Sequence, residues 1–465
     1  MTPAARVQAS IELLQAIQDA GKAAPADDPA GLPNMGTRGS TRVPADRVAS
    51  GYFRNRRYVG AKDRAAVQGV AYDVLRHRAQ LDWWLARGGI VVPDVRLRVI
   101  ACLALVTGWP TDDIAAAFDG GRFAPAPMSP AEQAALRRLP GRTIDHPDQP
   151  PEVRGNAPVW LAPRLARAFG ERLEKELAAL LEPATVDLRV NALKSGREEA
   201  QARLRSEGVT AEPTPLSPLG LRLVGRRPLG ETGSFKDGLV EVQDEGSQLV
   251  ALLVGARPGM RVVDFCAGAG GKALAIAAGM ENKGHVVACD VSKIRLEASA
   301  KRLRRAGVHN VERKLIADER DPWIKRHKRA YDRVLVDAPC TGIGTWRRNP
   351  DGRWSLEPKD LEELVPKQAR ILASAARLVK PGGRLVYATC SLLPEENERQ
   401  IEAFLAANPD FRLVPIDAVW AEAAKSPSPS PPPYLQLTPA RHGTDGFFAA
   451  VLERATAAPA AKAAT

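Results

Sequence analysis

The sequence predicts an α/β protein: a parallel sheet covered on both faces in the C-terminal half, preceded by an all-helical segment and a small α+β block. Three observations predict it. From residue 247 onward, short and nearly continuous apolar runs alternate with helical stretches, as in strands buried on both faces and joined by crossover helices. Over the first ~145 residues apolar positions recur at helical spacing and no run alternates with period two. The stretch between mixes one helix with short strand-like pieces.

The elements follow in order. Residues 1–20 form a helix on Ile11, Leu14 and Ile17, and AAPADDPAGLPNMGTRGS then reads as an exposed loop at about 22–43. Helical spacing resumes from Ala45 to about Phe118, in DRAAVQGVAYDVLRHRAQLDWWLA and VRLRVIACLALVTGW. LPGRTIDHPDQPPEVRGNAP breaks it and predicts a linker, which closes a helical domain at 1–145. The α+β block, 160–245, holds the helix RLARAFGERLEKELAALL and the pieces VDLRVNAL, LRLV and LVEVQ. In the last domain, 246–455, the strands are RVVDFCAG, HVVACD, VERKLIAD, YDRVLVDAP and RLVYATC. The Pro-rich KSPSPSPPPYL, 425–435, predicts a surface loop, and TAAPAAKAAT a frayed tail.

The chain has 465 residues, enough for two or three domains. Its 66 Lys+Arg against 54 Asp+Glu give +12, which favours a polyanionic partner, nucleic acid first. No apolar run approaches the roughly 18–20 residues of a membrane span, and MTPAARVQAS lacks a signal-peptide core. The five cysteines, odd in number and widely spaced, form no CxxC pair. A reducing cytoplasm is therefore expected, with no disulfide scaffold, no metal and no membrane.

The sharpest local signal is Asp264-Phe265-Cys266-Ala267-Gly268-Ala269-Gly270-Gly271-Lys272 at the end of the first strand of the parallel sheet. Small residues there let the backbone turn tightly and approach a ligand at the carboxyl edge, where doubly wound sheets bind. It is neither a Walker loop, since Ala273 replaces the magnesium-binding Ser/Thr, nor GxGxxG. Asp290 closes the second strand, where a ribose diol would be held. A tight turn and a surface acid account for either feature alone, less well for both. Asp318 follows the third strand and Asp337 closes the fourth. Three acids on one rim repel phosphates and suit a ligand rich in donors and positive charge, such as S-adenosylmethionine.

Cys340 and Cys390 end strands four and five at the same edge, in turns where a thiol can be exposed and ionised. Cys102 and Cys289 read as core residues, and Cys266 as structural within the turn. WRRNPDGRW, directly after the Cys340 turn, interleaves Arg with Trp. Arg347, Arg348 and Arg353 are candidates for phosphates, and Trp346 for stacking on a base.

At this point DFCAGAGGK, ACD, DAPCTGIGTWRRNPDGRW and YATCSLLPEEN, with VNALK, VQDEGSQ and HGTDGFF, resemble the Sun/RsmB-type RNA (cytosine-5) methyltransferases over about 160–455. The resemblance implies a Rossmann-like sheet dependent on S-adenosylmethionine. The helical N-terminal part is similar, in layout only, to the NusB-like RNA-binding domain of the bacterial rRNA members. Carried over residue by residue, Cys390 is the nucleophile, Cys340 assists product release and Asp337 activates the base. Cys266 to Lys272 lie against the methionine portion, Asp290 holds the ribose, Asp318 the adenine end with Arg295 nearby, and Pro339 shapes the Cys340 turn. Gly246 stands where the family has Ala.

The expected substrate is small-subunit (16S) ribosomal RNA, and a monomer is the simplest state. The rivals are a tRNA methyltransferase and a non-catalytic RNA-binding assembly factor. DNA cytosine methylation lacks its ENV motif here, and a dinucleotide oxidoreductase leaves both thiols unexplained.

Overall fold

The structure, a computed structural model, describes residues 1–22, 43–139, 141–225, 229–424 and 427–456. The body of the 22–43 loop, the first two residues of the Pro-rich insert and the tail after Thr456 lie outside these residues. The chain divides into two compact units. The first runs to Pro183 and also takes in Trp346–Pro358; the second holds Ala184–Thr345 and the chain from Lys359 on.

The first unit packs the helices Pro3–Lys22, Ala45–Arg54, Ala61–Arg76, Arg78–Arg87 and Val95–Leu105 around Leu13, Val67, Leu81, Ile100 and Leu103. Val95–Leu105 is apolar nearly all round and becomes the centre of the bundle. Asp94 caps it by accepting from the Leu97 amide at 2.8 Å, and its one buried cation, Arg98, is forked onto Asp82 at 2.7 and 3.0 Å.

This unit does not end at the Pro-rich stretch read as a linker. Asn156 is fully buried there, accepting from the Ala79 amide at 2.9 Å and donating to Gln80 Oε1 at 2.7 Å. Gln80 in turn reaches Asp145 at 2.8 Å. Proline-dense sequence is thus used as packed irregular backbone, its polar groups met by side chains. The helix expected over 164–181 is two, Ala162–Phe169 and Leu173–Leu181, broken at Gly170 with φ +55°.

The second unit carries two sheets. In the smaller, β1 (Asp187–Val190), β2 (Ala211–Pro213), β3 (Gly220–Leu223) and β4 (Val240–Val242) pair antiparallel in the order β2-β3-β1-β4. Strand β2, Ala-Glu-Pro, has no apolar run to announce it. Asn191, just beyond β1, donates to the carbonyls of Gly238 at 2.9 Å and Ala306 at 2.8 Å, tying this sheet to the larger one's helices.

The larger sheet contains β5 (Arg261–Asp264), β6 (His285–Asp290), β7 (Val311–Leu315), β8 (Tyr331–Asp337), β9 (Val379–Thr389), β10 (Phe411–Val414), β11 (Leu435–Leu437) and β12 (Phe447–Arg454). Its order is β10-β12-β9-β8-β5-β6-β7, with β11 on β12. From β7 to β9 all pairings are parallel, whereas β12, β10 and β11 are antiparallel. The chain leaves β5 toward β6 on one side and returns to β8 on the other, which makes the carboxyl end of β5 the switch point. The Pro-rich insert is anchored where it is described: Ser430, buried, donates to the Tyr434 carbonyl at 2.8 Å and leads into β11.

Among the described residues no helix is long and apolar enough to cross a membrane, and no cluster of His, Cys, Asp and Glu could hold a metal ion.

Candidate active site

The turn from β5 into the helix Gly271–Gly279 requires left-handed backbone at Gly268 (φ +54°) and Gly270 (φ +79°). A Cβ on Gly270 would come within 3.0 Å of the Ser299 Cβ. The turn is sewn to its neighbours, since the amides of Phe265 and Ala267 donate to the carbonyls of Leu335 and Cys289, each at 2.8 Å. Asp290, ending β6, accepts from the amides of Gly268 and Ser292 at 2.8 Å each and pairs with Arg295 at 3.3 Å. Gly268, Asp290 and Arg295 thus meet at one place. Asp318 lies beyond β7, half-exposed, and accepts from the Arg320 amide at 2.7 Å.

Asp264 is the member of this rim that motif reading passes over. It is wholly buried, and no side chain of the described residues donates to either carboxylate oxygen, the Ala273 amide being its one hydrogen-bonding neighbour. Burial, with the charges of Asp337 and Asp290, pushes its pKa up to about 7, although Lys272 pulls the other way. Lys272, in the first turn of the helix, reaches Asp337 at the end of β8 with Nζ to Oδ2 at 2.6 Å. Burial alone would lower the Lys272 pKa, but Asp337, Asp264 and Cys390 together raise it, so it stays a cation.

Cys340 and Cys390 follow the ends of β8 and β9, strands paired in register (Asp337 opposite Ala388). Their Sγ atoms stand 3.4 Å apart, a distance at which one thiol donates to the other. Both residues are half-buried. The Cys340 thiol is pushed well up, first by its hydrogen bond with Cys390, then by burial and by the nearby charge of Glu396. Cys266 is raised by burial and the surrounding carboxylates, consistent with a structural thiol, while Cys102 and Cys289 are core residues.

The turns are held by residues on three other segments. The Gly344 amide donates to the Cys390 carbonyl and the Gly446 amide to the Gly344 carbonyl, both at 2.9 Å. A Cβ on Gly344 would lie 2.3 Å from the Gly446 oxygen. Asp244 caps the helix Glu245–Leu253 and accepts from the Asp445 amide at 3.1 Å, so VQDEGSQ and HGTDGFF adjoin. At Gly246 a Cβ would come 2.6 Å from the Phe447 ring, so the glycine here is matched to its neighbour.

One group of expected residues is elsewhere. Trp346, Arg347 and Arg353, read from sequence as RNA contacts, are buried in the first unit. Arg353 donates to the carbonyls of Asn156 at 3.1 Å and Leu180 at 3.0 Å and stacks over Trp346 at 4.8 Å. The Arg347 carbonyl accepts from Arg76 at 3.4 Å, and the Trp354 indole donates to the Leu75 carbonyl. A guanidinium spent on carbonyls in a core is not free for phosphate, and that corrects the sequence reading. Arg348, in the same segment, is half-buried.

A parallel sheet with a buried carboxylate lacking a side-chain hydrogen bond at its switch point, a glycine cradle, an acid on the next strand and twin thiols defines a methyltransferase-type site. The donor set suits S-adenosylmethionine, with Asp264 able to accept from an ammonium and Asp290 from ribose hydroxyls. Residues 251–453 match the family described as 16S rRNA methyltransferase RsmB/F, and residues 157–229 its ferredoxin-like domain. The ribosomal RNA small subunit methyltransferase B of Xylella fastidiosa (strain 9a5c) is 35% identical over 405 residues, covering 84% of this chain and 92% of that one. Among solved structures, that of PH0851 superposes with a TM-score of 0.75 at 28% identity, over 98% of this chain and 99% of the other. A methyltransferase homolog protein from Pyrococcus horikoshii gives 0.57 at 30% identity, over 65% and 97%. The chain belongs to the RsmB/F family of rRNA methyltransferases, whose methyl donor is S-adenosylmethionine.

Proposed function

We propose that this protein methylates C5 of a cytosine in small-subunit ribosomal RNA, with Cys390 as nucleophile and Cys340 assisting release. The observation that carries the reading is the pair of thiols 3.4 Å apart beside the Lys272–Asp337 ion pair.

Cytosine C5 is a weak nucleophile. Addition of the Cys390 thiolate to C6 pushes electrons onto the ring and makes C5 enamine-like, while Asp337, held in place by Lys272, hydrogen-bonds the base near N3. S-adenosylmethionine supplies the electrophilic methyl group, which C5 takes in line. Loss of the C5 proton to a general base then expels Cys390, the C6–S bonding pair returning to sulfur. The Cys340 S–H, within hydrogen-bond reach, stabilises that leaving thiolate.

Gly268 and Gly270 open the cradle for the donor's methionine part, Asp264 accepts its ammonium, Asp290 with Arg295 behind it takes the ribose, and Asp318 flanks the adenine. For the RNA, the first unit offers a groove of about 570 Å³ lined by Trp84, Arg87, Arg137, Arg138 and Arg142. Arg142 lies over Trp84 at 5.8 Å. Trp84 is buried beneath them, so what the groove offers a phosphodiester chain is the charge of its arginines.

Transfer of labelled methyl to separate pools of small-subunit rRNA, large-subunit rRNA and tRNA, with bisulfite mapping, tests the substrate. Cys390→Ala abolishes transfer, whereas Cys340→Ala leaves a covalent protein–RNA adduct on denaturing gels. An adduct that needs Cys340 and survives loss of Cys390 reverses the two roles. Label confined to tRNA overturns the substrate and keeps the chemistry.

A further inference from the structure

Glu396 lies six residues past Cys390 and is fully buried with no Lys or Arg paired to it among the described residues. Its carboxylate accepts four hydrogen bonds. Oε1 takes the Thr341 amide at 2.8 Å and Gln368 Nε2 at 2.9 Å. Oε2 takes the hydroxyls of Thr341, at 2.5 Å, and Ser391. Thr341 is the residue after Cys340 and Ser391 the residue after Cys390. The two hydroxyls also meet at 3.2 Å, and Gln368 reaches on to the Pro339 carbonyl at 2.9 Å. Behind the carboxylate, the Tyr387 hydroxyl holds the Glu396 carbonyl at 2.7 Å, and Asn397 links Thr389 at 2.6 Å to the Ser391 carbonyl at 3.1 Å. One side chain therefore joins the turn bearing one thiol to the turn bearing the other.

The charge around the sulfur pair is lopsided. Glu396 acts on Cys340, whereas Lys272 acts on Cys390. An anion beside one sulfur and a cation beside the other decide where a single negative charge settles. Burial raises the Glu396 pKa, the hydrogen bonds from Ser391, Thr341 and Gln368 lower it, and burial prevails.

We propose that Glu396 is a positioning residue that bolts the two cysteine turns together and keeps the shared proton of the S–H···S pair on Cys340, so that Cys390 is the sulfur that ionises. The proposal rests on the two-thiol reading above and adds to it what makes two chemically identical side chains unequal. The groups whose charge bears on the pair are Glu396 and Tyr387 at Cys340 and Lys272 at Cys390, with Asp337 ion-paired to Lys272.

The test uses the full-length protein and needs no RNA for its first arm. Iodoacetamide alkylation followed by peptide mass spectrometry, run across pH, reads which sulfur is the thiolate. In the native chain Cys390 is alkylated faster than Cys340, by about tenfold for each pH unit separating the two thiols. Glu396→Gln keeps the clamp, with its carbonyl accepting from Thr341 and Gln368 and its amide donating to the hydroxyls, but removes the charge. It narrows that selectivity and moves the Cys340 profile to lower pH. Glu396→Ala removes the clamp as well and lowers single-turnover methyl transfer by about 10²-fold or more, with the KM for S-adenosylmethionine unchanged.

Alkylation in Glu396→Gln indistinguishable from the native chain overturns the charge role, and native kcat in Glu396→Ala overturns the clamp. If Glu396→Ala does not fold, Glu396→Gln and Thr341→Val carry the test; Thr341→Val removes one hydroxyl at near-constant volume and must slow turnover. A native protein that shows the alkylation pattern yet methylates no RNA pool refutes the proposed function and leaves the assignment of Glu396 standing.

Discussion

The residue whose behaviour is most constrained by its surroundings is Asp264. Its folded pKa is about 7 against an ordinary 3.8, so the fold favours the protonated form. Between those two values the native state holds more protons than the unfolded chain, and stability of the ligand-free protein falls as pH rises through that window, then levels off. Affinity for S-adenosylmethionine runs the other way: the ammonium needs the carboxylate, so binding weakens by about tenfold per unit as pH drops below 7. Calorimetric titration of the donor across pH checks this, and Asp264→Asn flattens the profile; a native profile independent of pH sinks the assignment.

Legibility at this scale follows from what a strand end does. Cys340, Cys390, Asp290 and Asp337 were readable because each closes a recognisable apolar run, and parallel strands deliver their ends to one edge. Asp264 was spelled out in the motif, yet only its burial without a side-chain hydrogen bond marks it. Glu396 was hidden because its role depends on Thr341, fifty-five residues back in the chain.

Elements tell a different story from their sequence when their partners are remote. WRRNPDGRW reads as a basic, exposed loop, yet Arg353 and Trp346 go to the inside of the first unit. Removing a buried cation that satisfies two carbonyls leaves both unmet and opens a cavity. Arg353→Ala therefore costs about 2–4 kcal/mol, seen as an earlier unfolding step of that unit in thermal scans. An unchanged midpoint with weakened RNA binding would restore the contact role. The same remoteness explains the supposed linker, whose prolines signal irregular backbone and say nothing about burial, which Asn156 and Gln149 decide. Helix and strand identities within the parallel sheet were legible because periodicity is local; β2 and the break at Gly170 were set by pairing and by one backbone angle.

For the whole molecule, the sequence divides into helical, mixed and α/β parts, whereas compactness divides it once, at Pro183, and returns thirteen later residues to the first unit. The net charge of +12 becomes useful only where arginines lack carboxylate partners, as Arg137 and Arg142 do among the described residues. Charge reversal at both, Arg137→Glu with Arg142→Glu, weakens RNA binding by about tenfold or more and lowers the slope of log affinity against log salt by about 1–2. Filter binding at several salt concentrations measures both; an unaltered slope means the RNA takes another path.

The return of Trp346–Pro358 to the first unit also bears on how the protein is born. As the chain leaves the ribosome, its N-terminal helices emerge well before Trp346, Arg353 and Trp354, whose places among them stay vacant until four of the larger sheet's eight strands, β5 to β8, have been synthesised. The amino-terminal part is thus no autonomous module to be cut off at a convenient proline. It completes itself with a late-arriving strip of its neighbour's sequence, and a gene truncated anywhere before that strip encodes a bundle with a hole in it.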